Sequence, residues 1–243
     1  MKIVIKKLKN HKKVLILRID NQIIKIIIMK KAINKSFKDW EAEAVEEAFG
    51  IQKIDTLPFL EITKTLRLAE DHPQRDLIEK YRCRALNLID GWNEDEYKFL
   101  FISIYLGLID FFNAKYNVFT QRPMSVTYDN GTKTTSGKVE WMLARGRQNP
   151  KQPYFFLHEY KPEKNRDNDP LGQLLIAMVA AQKLNQNDSP IYGIYVNGRN
   201  WFVVVLDNNS YAISDPYAIT TNQVFDLFAV LEHLREKMDE LYQ

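Results

Sequence analysis

Residues 136–143 read SGKVEWML, and residues 155–162 read FFLHEYKP. Both stretches are rich in apolar and aromatic residues, a composition typical of β-strands. Each carries an acid, Glu140 in the first and Glu159 in the second, and Lys161 follows two positions after Glu159. Charged groups on a strand that is covered on both faces are costly unless they are paired, solvated or bound to a metal. The three charged residues therefore predict a candidate metal-dependent active site.

Strand geometry separates these residues from their neighbours. Alternate residues of a strand share a face, so Glu159 and Lys161 are expected to point one way and His158 the other. We interpret His158 as a packed or structural residue for this reason. The same Glu-Tyr-Lys tripeptide also occurs at residues 96–98. There it begins a predicted helix, in which positions i and i+2 do not share a face, so we set it aside.

The second half of the chain alternates strand-like and helical patterns. The predicted strands are 117–128, 136–145, 153–161, 190–196, 200–206 and 210–214, and the predicted helices are 94–115, 170–184 and 223–242. The segments 129–131 (Asp-Asn-Gly) and 197–198 (Asn-Gly) are typical of hairpin turns. The order from residue 93 is thus helix, three strands, helix, strand, hairpin and helix.

The first 91 residues follow a different pattern. Residues 2–8, 13–19 and 22–29 predict a small β meander, and helical segments follow from residue 37 to about residue 89. We therefore divide the chain into a basic N-terminal part, 1–91, formed by a β meander and helices, and a core, 92–243. The change of pattern near residue 91 is the only sign of a boundary.

Charge is distributed unevenly along the chain. Residues 1–38 hold twelve Lys and Arg residues and one acid, Asp20, which gives them a charge of +11. Because the net charge is +3, the remainder carries −8. A basic leader of this kind is suited to contacting nucleic-acid phosphates. Alternatively, the lysines keep a short apolar sheet soluble and protect its edges.

The order of elements, with an acid in the second core strand and Glu-x-Lys in the third, resembles the PD-(D/E)XK nuclease superfamily. Within it, residues 93–243 are most similar to the restriction-endonuclease-like domain at the N-terminus of type I restriction motor subunits. Residues 136–143 resemble its Ser-Gly-x-x-Asp strand, although Glu140 replaces the usual aspartate. Gln173 resembles the glutamine of the next helix, and residues 191–201 resemble a Gly-Arg/Lys-x-Trp hairpin. The middle of the first core helix, 102–107, lacks the acid that several members have.

The resemblance implies an α/β restriction-endonuclease-like core, a central mixed sheet flanked by helices. It also implies a nuclease that hydrolyses phosphodiester bonds in DNA with Mg²⁺ or Mn²⁺. Glu140, Glu159 and the backbone carbonyl of Tyr160 would hold the metal, a ligand set of oxygen atoms that suits a hard cation. Lys161 would orient the attacking water or help to deprotonate it, and Gln173 would position substrate or water.

Each residue also has a plainer interpretation. Glu159 and Lys161 could form an ion-pair network at the end of the sheet, and Glu140 could be solvated on a half-exposed strand. Gln173 could lie on the exposed side of an amphipathic helix. The fold could then be an inactive descendant that binds nucleic acid or assembles with other proteins. A third alternative is that the N-terminal part forms a protein-interaction surface and the core is its scaffold.

Other features define the expected partners and location. Five basic residues flank the two acidic strands and could contact phosphates: Arg145, Arg147, Lys151, Lys164 and Arg166. A single cysteine, Cys83, excludes an internal disulfide and fits a reducing compartment. No apolar run reaches membrane length. We therefore expect a cytoplasmic protein with nucleic acid, in particular DNA, as its partner, no membrane association, and either a homodimer or a partner protein.

Overall fold

The structure is a computed structural model that describes residues 2–8, 12–19, 22–30, 33–111, 115–161 and 169–241. Within these ranges it describes side chains from Asn34 onward, except at Pro153, at residues 155–159 and at Lys161. The chain divides into two compact units. The first comprises residues 1–36 and 125–136, and the second comprises residues 37–124 and 137–243. The predicted boundary near residue 91 stays a prediction.

The first unit contains the predicted meander. Strands β1 (Lys2–Leu8), β2 (Lys12–Ile19) and β3 (Gln22–Lys30) form an antiparallel sheet in the order β1-β2-β3. A fourth strand, β4 (Ile33–Ser36), pairs in parallel with residues 133–136. Strand formation here follows from the density of Ile, Val and Leu, which pack well on a pleated surface.

The remaining elements follow the predicted order closely. The strands are β5 (Gln52–Lys53), β6 (Asn117–Tyr128), β7 (Lys133–Arg145), β8 (Lys151–Lys161), β9 (Ile191–Asn197), β10 (Asn200–Asp207), β11 (Ser210–Ile213) and β12 (Tyr217–Ala218). The helices are α1 (Ala42–Phe49), α2 (Pro58–Thr63), α3 (Arg75–Leu88), α4 (Glu94–Tyr97), α5 (Ser103–Gly107), α6 (Pro170–Asn185) and α7 (Gln223–Leu241). A π-helical turn, Lys98–Ile102, joins α4 to α5.

The larger sheet is mixed. Within the described residues it has nine strands in the order β4-β7-β8-β9-β10-β11-β5, with β6 paired to β7 and β12 paired to β10. Strands β8 and β9 run parallel, whereas β7 and β8 run antiparallel, as do β9 and β10. Two parallel strands need a crossover, and helix α6 provides it. The expectation of an α/β protein with a mixed sheet flanked by helices is confirmed, and the restriction-endonuclease-like topology itself stays a prediction.

Helices cover both faces of strand β9. On one face Ile194 and Val196 are fully buried in a core that also contains residues of α5 and α7. On the other face a Cβ atom at Gly193 would lie 2.8 Å from Met178 Sδ and 3.0 Å from Leu174 Cδ1, both on α6. A strand covered in this way must be apolar along its length, as residues 191–196 are.

The first core helix is shorter than predicted. We expected a helix over residues 94–115, but α5 ends at Gly107, and Asp110 adopts a positive φ of 55°. A residue with positive φ cannot continue a right-handed helix, so the buried residues Ile109 and Phe111 lie outside the helix. Residues 112–114 of the predicted helix lie outside the described residues. Among the described helices, none combines the length and the apolar character needed to cross a bilayer.

Candidate active site

The backbone brings the two predicted acidic positions to the same level of the sheet. Strands β7 and β8 pair antiparallel with Trp141 opposite His158. Glu140 precedes Trp141, and Glu159 follows His158, so both acids lie one residue beyond this pair in the same direction along the strands. The sequence pattern predicted that these two positions belong to strands that follow each other along the chain. Their pairing and register in the sheet come from the tertiary structure.

The Glu140 side chain is held by two nitrogen donors. Its Oε2 atom accepts a hydrogen bond from Lys98 Nζ at 2.6 Å and another from Gln121 Nε2 at 2.5 Å. The side chain is 19% exposed. Glu140 is thus a paired and largely buried carboxylate, which is different from the solvated side chain that the plainer interpretation describes.

Lys98 links Glu140 to a second carboxylate. Its ammonium group also donates to Glu94 Oε1 at 2.5 Å, one helical turn earlier. Burial tends to lower the pKa of Lys98, but its hydrogen bonds to Glu140 and Glu94 outweigh that effect and raise the pKa above its ordinary value. The ammonium group is therefore charged at neutral pH and lies between two carboxylates. We call Glu94, Lys98, Gln121 and Glu140 the Lys98 cluster.

The Lys98 cluster includes the lysine of the tripeptide that the sequence analysis set aside. Residues 96–98 are helical, as predicted. Glu96 has a structural role, because its carboxylate accepts a hydrogen bond from the Asn93 backbone N–H at 2.8 Å in a capping box. Lys98 and Glu94 have the i, i+4 spacing that pairs charges on one helix face. This spacing is the sequence signal from which their contact could have been predicted. No local pattern indicated the contact with Glu140.

Tyr160, the middle residue of the strand Glu-Tyr-Lys, lies beside this cluster. Its ring is 2% exposed and packs edge to face against Tyr97, with 4.9 Å between ring centroids. The Lys98 ammonium lies 5.9 Å from the centre of the Tyr160 ring. Burial, together with the charge of Glu94, raises the pKa of Tyr160 well above its ordinary value, so its hydroxyl stays neutral.

Glu159 and Lys161 are located only by their backbone. Glu159 pairs with Tyr195 and Lys161 with Asn197 in the parallel β8–β9 ladder. Their side chains lie outside the described part of the chain, as do Lys164 and Arg166 in residues 162–168. Metal binding by Glu159 and by the Tyr160 carbonyl, and the role of Lys161, therefore stay predictions.

Gln173 is buried, so its interpretation as an exposed residue of an amphipathic helix is wrong. It is 6% exposed, and within the described residues its Nε2 atom has no hydrogen-bond partner. Helix α6 is buried continuously from Gly172 to Ala181 because it packs against strands β8 and β9 and also against helix α1. No contact joins Gln173 to Glu140 among the described side chains.

The basic residues of the β7–β8 turn lie at the far end of the two strands. Arg145, Arg147 and Lys151 are exposed, and Arg145 stands opposite Lys151 in the ladder. At about 3.3 Å per residue, Arg145 is roughly 17 Å along the strand from Glu140. These cations could contact phosphates several nucleotides from a cleavage point, but they do not surround the acids as the sequence suggested.

The donor atoms of this region suit a hard cation. Glu94 and Glu140 offer carboxylate oxygens, the type of ligand that Mg²⁺ and Mn²⁺ prefer. Among the described residues, no group of three or more His, Cys, Asp or Glu side chains comes together. A metal site here would therefore need Glu159 in addition to Glu140.

A separate pocket of about 360 Å³ opens beside helix α2 and strand β12. Its polar lining includes Asp55, Lys64, Arg67, Asp215 and Asp226. None of the residues predicted for the active site lines it.

No protein-family model matches the chain, and no curated protein matches it at the significance required. The residues and their geometry are therefore the basis for a functional proposal.

Proposed function

We propose that this protein is a metal-dependent nuclease that hydrolyses phosphodiester bonds in DNA, with its active site where β7 and β8 meet. The observation that carries the proposal is the register of the two strands, which sets Glu140 and Glu159 at the same level of adjacent strands. Two carboxylates on neighbouring strands offer the oxygen ligands that suit a hard cation, and a lysine two residues after the second can act on a metal-bound water.

Each residue has a defined role in this proposal. Glu140, Glu159 and the Tyr160 backbone carbonyl hold Mg²⁺ or Mn²⁺. When bound, the metal acidifies a water molecule and neutralises charge on the phosphate. Lys161 orients that water and stabilises the negative charge that develops in the transition state. Gln173, whose amide nitrogen is buried without a partner among the described residues, positions substrate or water.

The largely buried position of the Glu140 side chain supports a functional interpretation of this carboxylate. Taking a carboxylate out of water is costly unless hydrogen bonds compensate, and here Lys98 and Gln121 provide them. A residue that served only to keep the strand soluble would gain nothing from this arrangement.

The same contacts also favour a second candidate function, an inactive module of the same fold that binds nucleic acid or assembles with other proteins. Glu140 Oε2 already accepts two hydrogen bonds, and an ammonium group can replace a metal in stabilising buried carboxylates. In that case the Lys98 cluster is structural, and the basic N-terminal sheet binds the nucleic acid.

A cleavage assay distinguishes the two functions. Single- and double-stranded DNA and RNA are incubated with the protein and Mg²⁺ or Mn²⁺. For the nuclease, we expect Glu159→Gln to abolish cleavage and Lys161→Ala to slow it by about 10²–10⁴-fold. Glu47→Gln and Lys53→Ala, exposed residues in the second unit, are matched controls that should cleave normally.

Three outcomes decide between the candidates. Metal-dependent cleavage that is lost in the site variants and kept in the controls supports the nuclease. Cleavage that survives both Glu159→Gln and Lys161→Ala contradicts this site. Binding of DNA without cleavage in any metal supports the inactive module.

A further inference from the structure

Lys98 occupies an unusual position for a lysine. Its ammonium group lies within 2.6 Å of Glu140 Oε2 and within 2.5 Å of Glu94 Oε1. The three side chains are only 23%, 19% and 35% exposed, respectively, so bulk water screens the contacts poorly. A cation is therefore already present at the carboxylate to which the proposed function assigns a metal.

The ammonium group and a metal ion cannot share this oxygen atom. Two positive charges at this spacing repel each other strongly in a partly buried site, and a divalent ion doubles the repulsion that a monovalent one would feel. Gln121 also donates to the same oxygen atom, so its lone pairs are both engaged. A metal ion that binds at Glu140 Oε2 therefore competes with the Lys98 ammonium group for this oxygen atom.

The helix supplies a second partner for the displaced lysine. Glu94 lies one turn before Lys98 and already accepts a hydrogen bond from its ammonium group. Lys98 can thus leave Glu140 and keep one ion pair, which lowers the cost of the movement. The main-chain carbonyl of Lys98 accepts a hydrogen bond from Ser103 Oγ at 2.7 Å, which fixes the backbone of the π-helical turn during such a change.

We propose that Lys98 is an internal competitor of the catalytic metal: it holds the Glu140 carboxylate until a divalent cation displaces it, and it thereby lowers the metal affinity of the site. This proposal rests on the proposed function, because it assumes that Glu140 is a metal ligand. It assigns Lys98 a positioning role and no contact with the reacting atoms.

Direct measurement of Mn²⁺ binding tests the proposal without any need for activity. The dissociation constant for Mn²⁺ is measured by isothermal titration, and by the shift in melting temperature, for the wild type, Lys98→Met, Lys98→Gln and Glu140→Gln. Lys98→Gln keeps an N–H donor without the charge, and it replaces Lys98→Met in the comparison if that variant does not fold. Lys237→Met, which removes a partly exposed lysine paired with Glu240, is the control for the loss of one charge.

We expect both Lys98 variants to bind Mn²⁺ about tenfold more tightly than the wild type, since a charge-assisted hydrogen bond no longer has to be broken. Lys237→Met should bind as the wild type does, and Glu140→Gln should lose binding. Unchanged or weaker binding in both Lys98 variants would overturn the proposal and leave the metal site intact. Absence of Mn²⁺ binding in every protein, including the wild type, would overturn the metal site and the proposal together.

Discussion

Glu79 and Arg82 form a two-point contact on helix α3. Arg82 Nε and Nη2 donate to the Glu79 carboxylate at 2.7 and 2.6 Å, and Arg82 Nη1 donates to the Thr220 carbonyl at 3.1 Å. The pKa of Glu79 is lowered from its ordinary value of 4.5 to about 2, mainly because Arg82 donates hydrogen bonds to this carboxylate. This pair therefore ties α3 to the segment that precedes α7.

The lowered pKa predicts how the stability of this contact depends on pH. A carboxylate with a depressed pKa in the folded state stabilises that state above its unfolded pKa of about 4.5 and loses the contribution as the pH falls toward 2. Glu79→Gln should therefore lower the free energy of unfolding at neutral pH, by no more than about 1 kcal/mol because the side chain is partly exposed. The difference in the free energy of unfolding between Glu79→Gln and the wild type should shrink as the pH falls from about 4.5 to 2.

Urea denaturation at a series of pH values measures this difference. Glu47→Gln, an exposed residue on α1 for which no such contact is present among the described residues, is the control. A difference between Glu79→Gln and the wild type that stays constant over the whole series would contradict the assignment.

At the scale of elements, the start of helix α6 packs backbone to backbone against the start of α1. A Cβ atom at Gly172 would lie 2.4 Å from the Trp40 carbonyl oxygen and 2.8 Å from the Ala42 nitrogen. The Asp169 carboxylate joins the two segments, because it accepts the N–H groups of Leu171 at 3.0 Å and Ala42 at 2.9 Å. The glycine is therefore required by a close approach of two main chains.

Gly172→Ala is expected to destabilise the protein by about 1–3 kcal/mol, since backbone atoms must move to admit the methyl group. The clash outweighs the gain of about 1 kcal/mol that alanine usually gives inside a helix. Gly107→Ala is the matched control, because a Cβ atom there meets nothing within 4 Å. Chemical denaturation should show Gly107→Ala to be neutral or stabilised, and equal stability of the two variants would refute the argument.

The elements themselves were largely predictable. Strands β6 to β11 match the predicted ranges within a few residues, because period-2 patterns and turn residues act locally. Asp129, Asn130 and Gly131 all have positive φ, which is the conformation that the hairpin-turn signal implies. The end of the first core helix was not predictable, since Ile109 continues the helical period in sequence but is buried from a position outside the helix.

On the scale of the whole molecule, positive charge is concentrated in the three-stranded N-terminal sheet. Its strands contain eight Lys and Arg residues and no acid. The register sets Lys7 opposite Lys13 and Lys12 opposite Lys30. Like charges in directly opposed positions destabilise a sheet, so an anionic partner would relieve this repulsion.

The charge distribution predicts a strongly salt-dependent interaction with DNA. Replacement of Lys6, Lys7, Lys12 and Lys13 by glutamine should make the association constant for DNA less sensitive to salt. The magnitude of the slope of its logarithm against log [salt] should fall by up to about 3–4, which is roughly 0.9 for each phosphate that the protein no longer neutralises. Fluorescence anisotropy with one duplex at several salt concentrations measures the slope.

A control variant separates this local effect from net charge. Replacement of Lys53, Lys64, Lys80 and Lys237 by glutamine changes the net charge equally within the second unit. If the magnitude of the slope falls equally in both variants, the N-terminal sheet is not the binding surface. Lower solubility of the first variant with an unchanged slope would favour the alternative in which these lysines only keep the sheet soluble.

The sequence by itself determined most of the strands and helices, and it placed Glu140 on one strand and Glu159 and Lys161 on the next strand along the chain. These features are encoded locally, in the alternation of apolar residues and in the residues of the turns. Only the tertiary structure brought Lys98 to Glu140 across 42 residues of chain and buried Gln173 on helix α6. The physical reason is that such contacts depend on how a helix packs on a strand, and the spacing of residues along either element does not specify that packing.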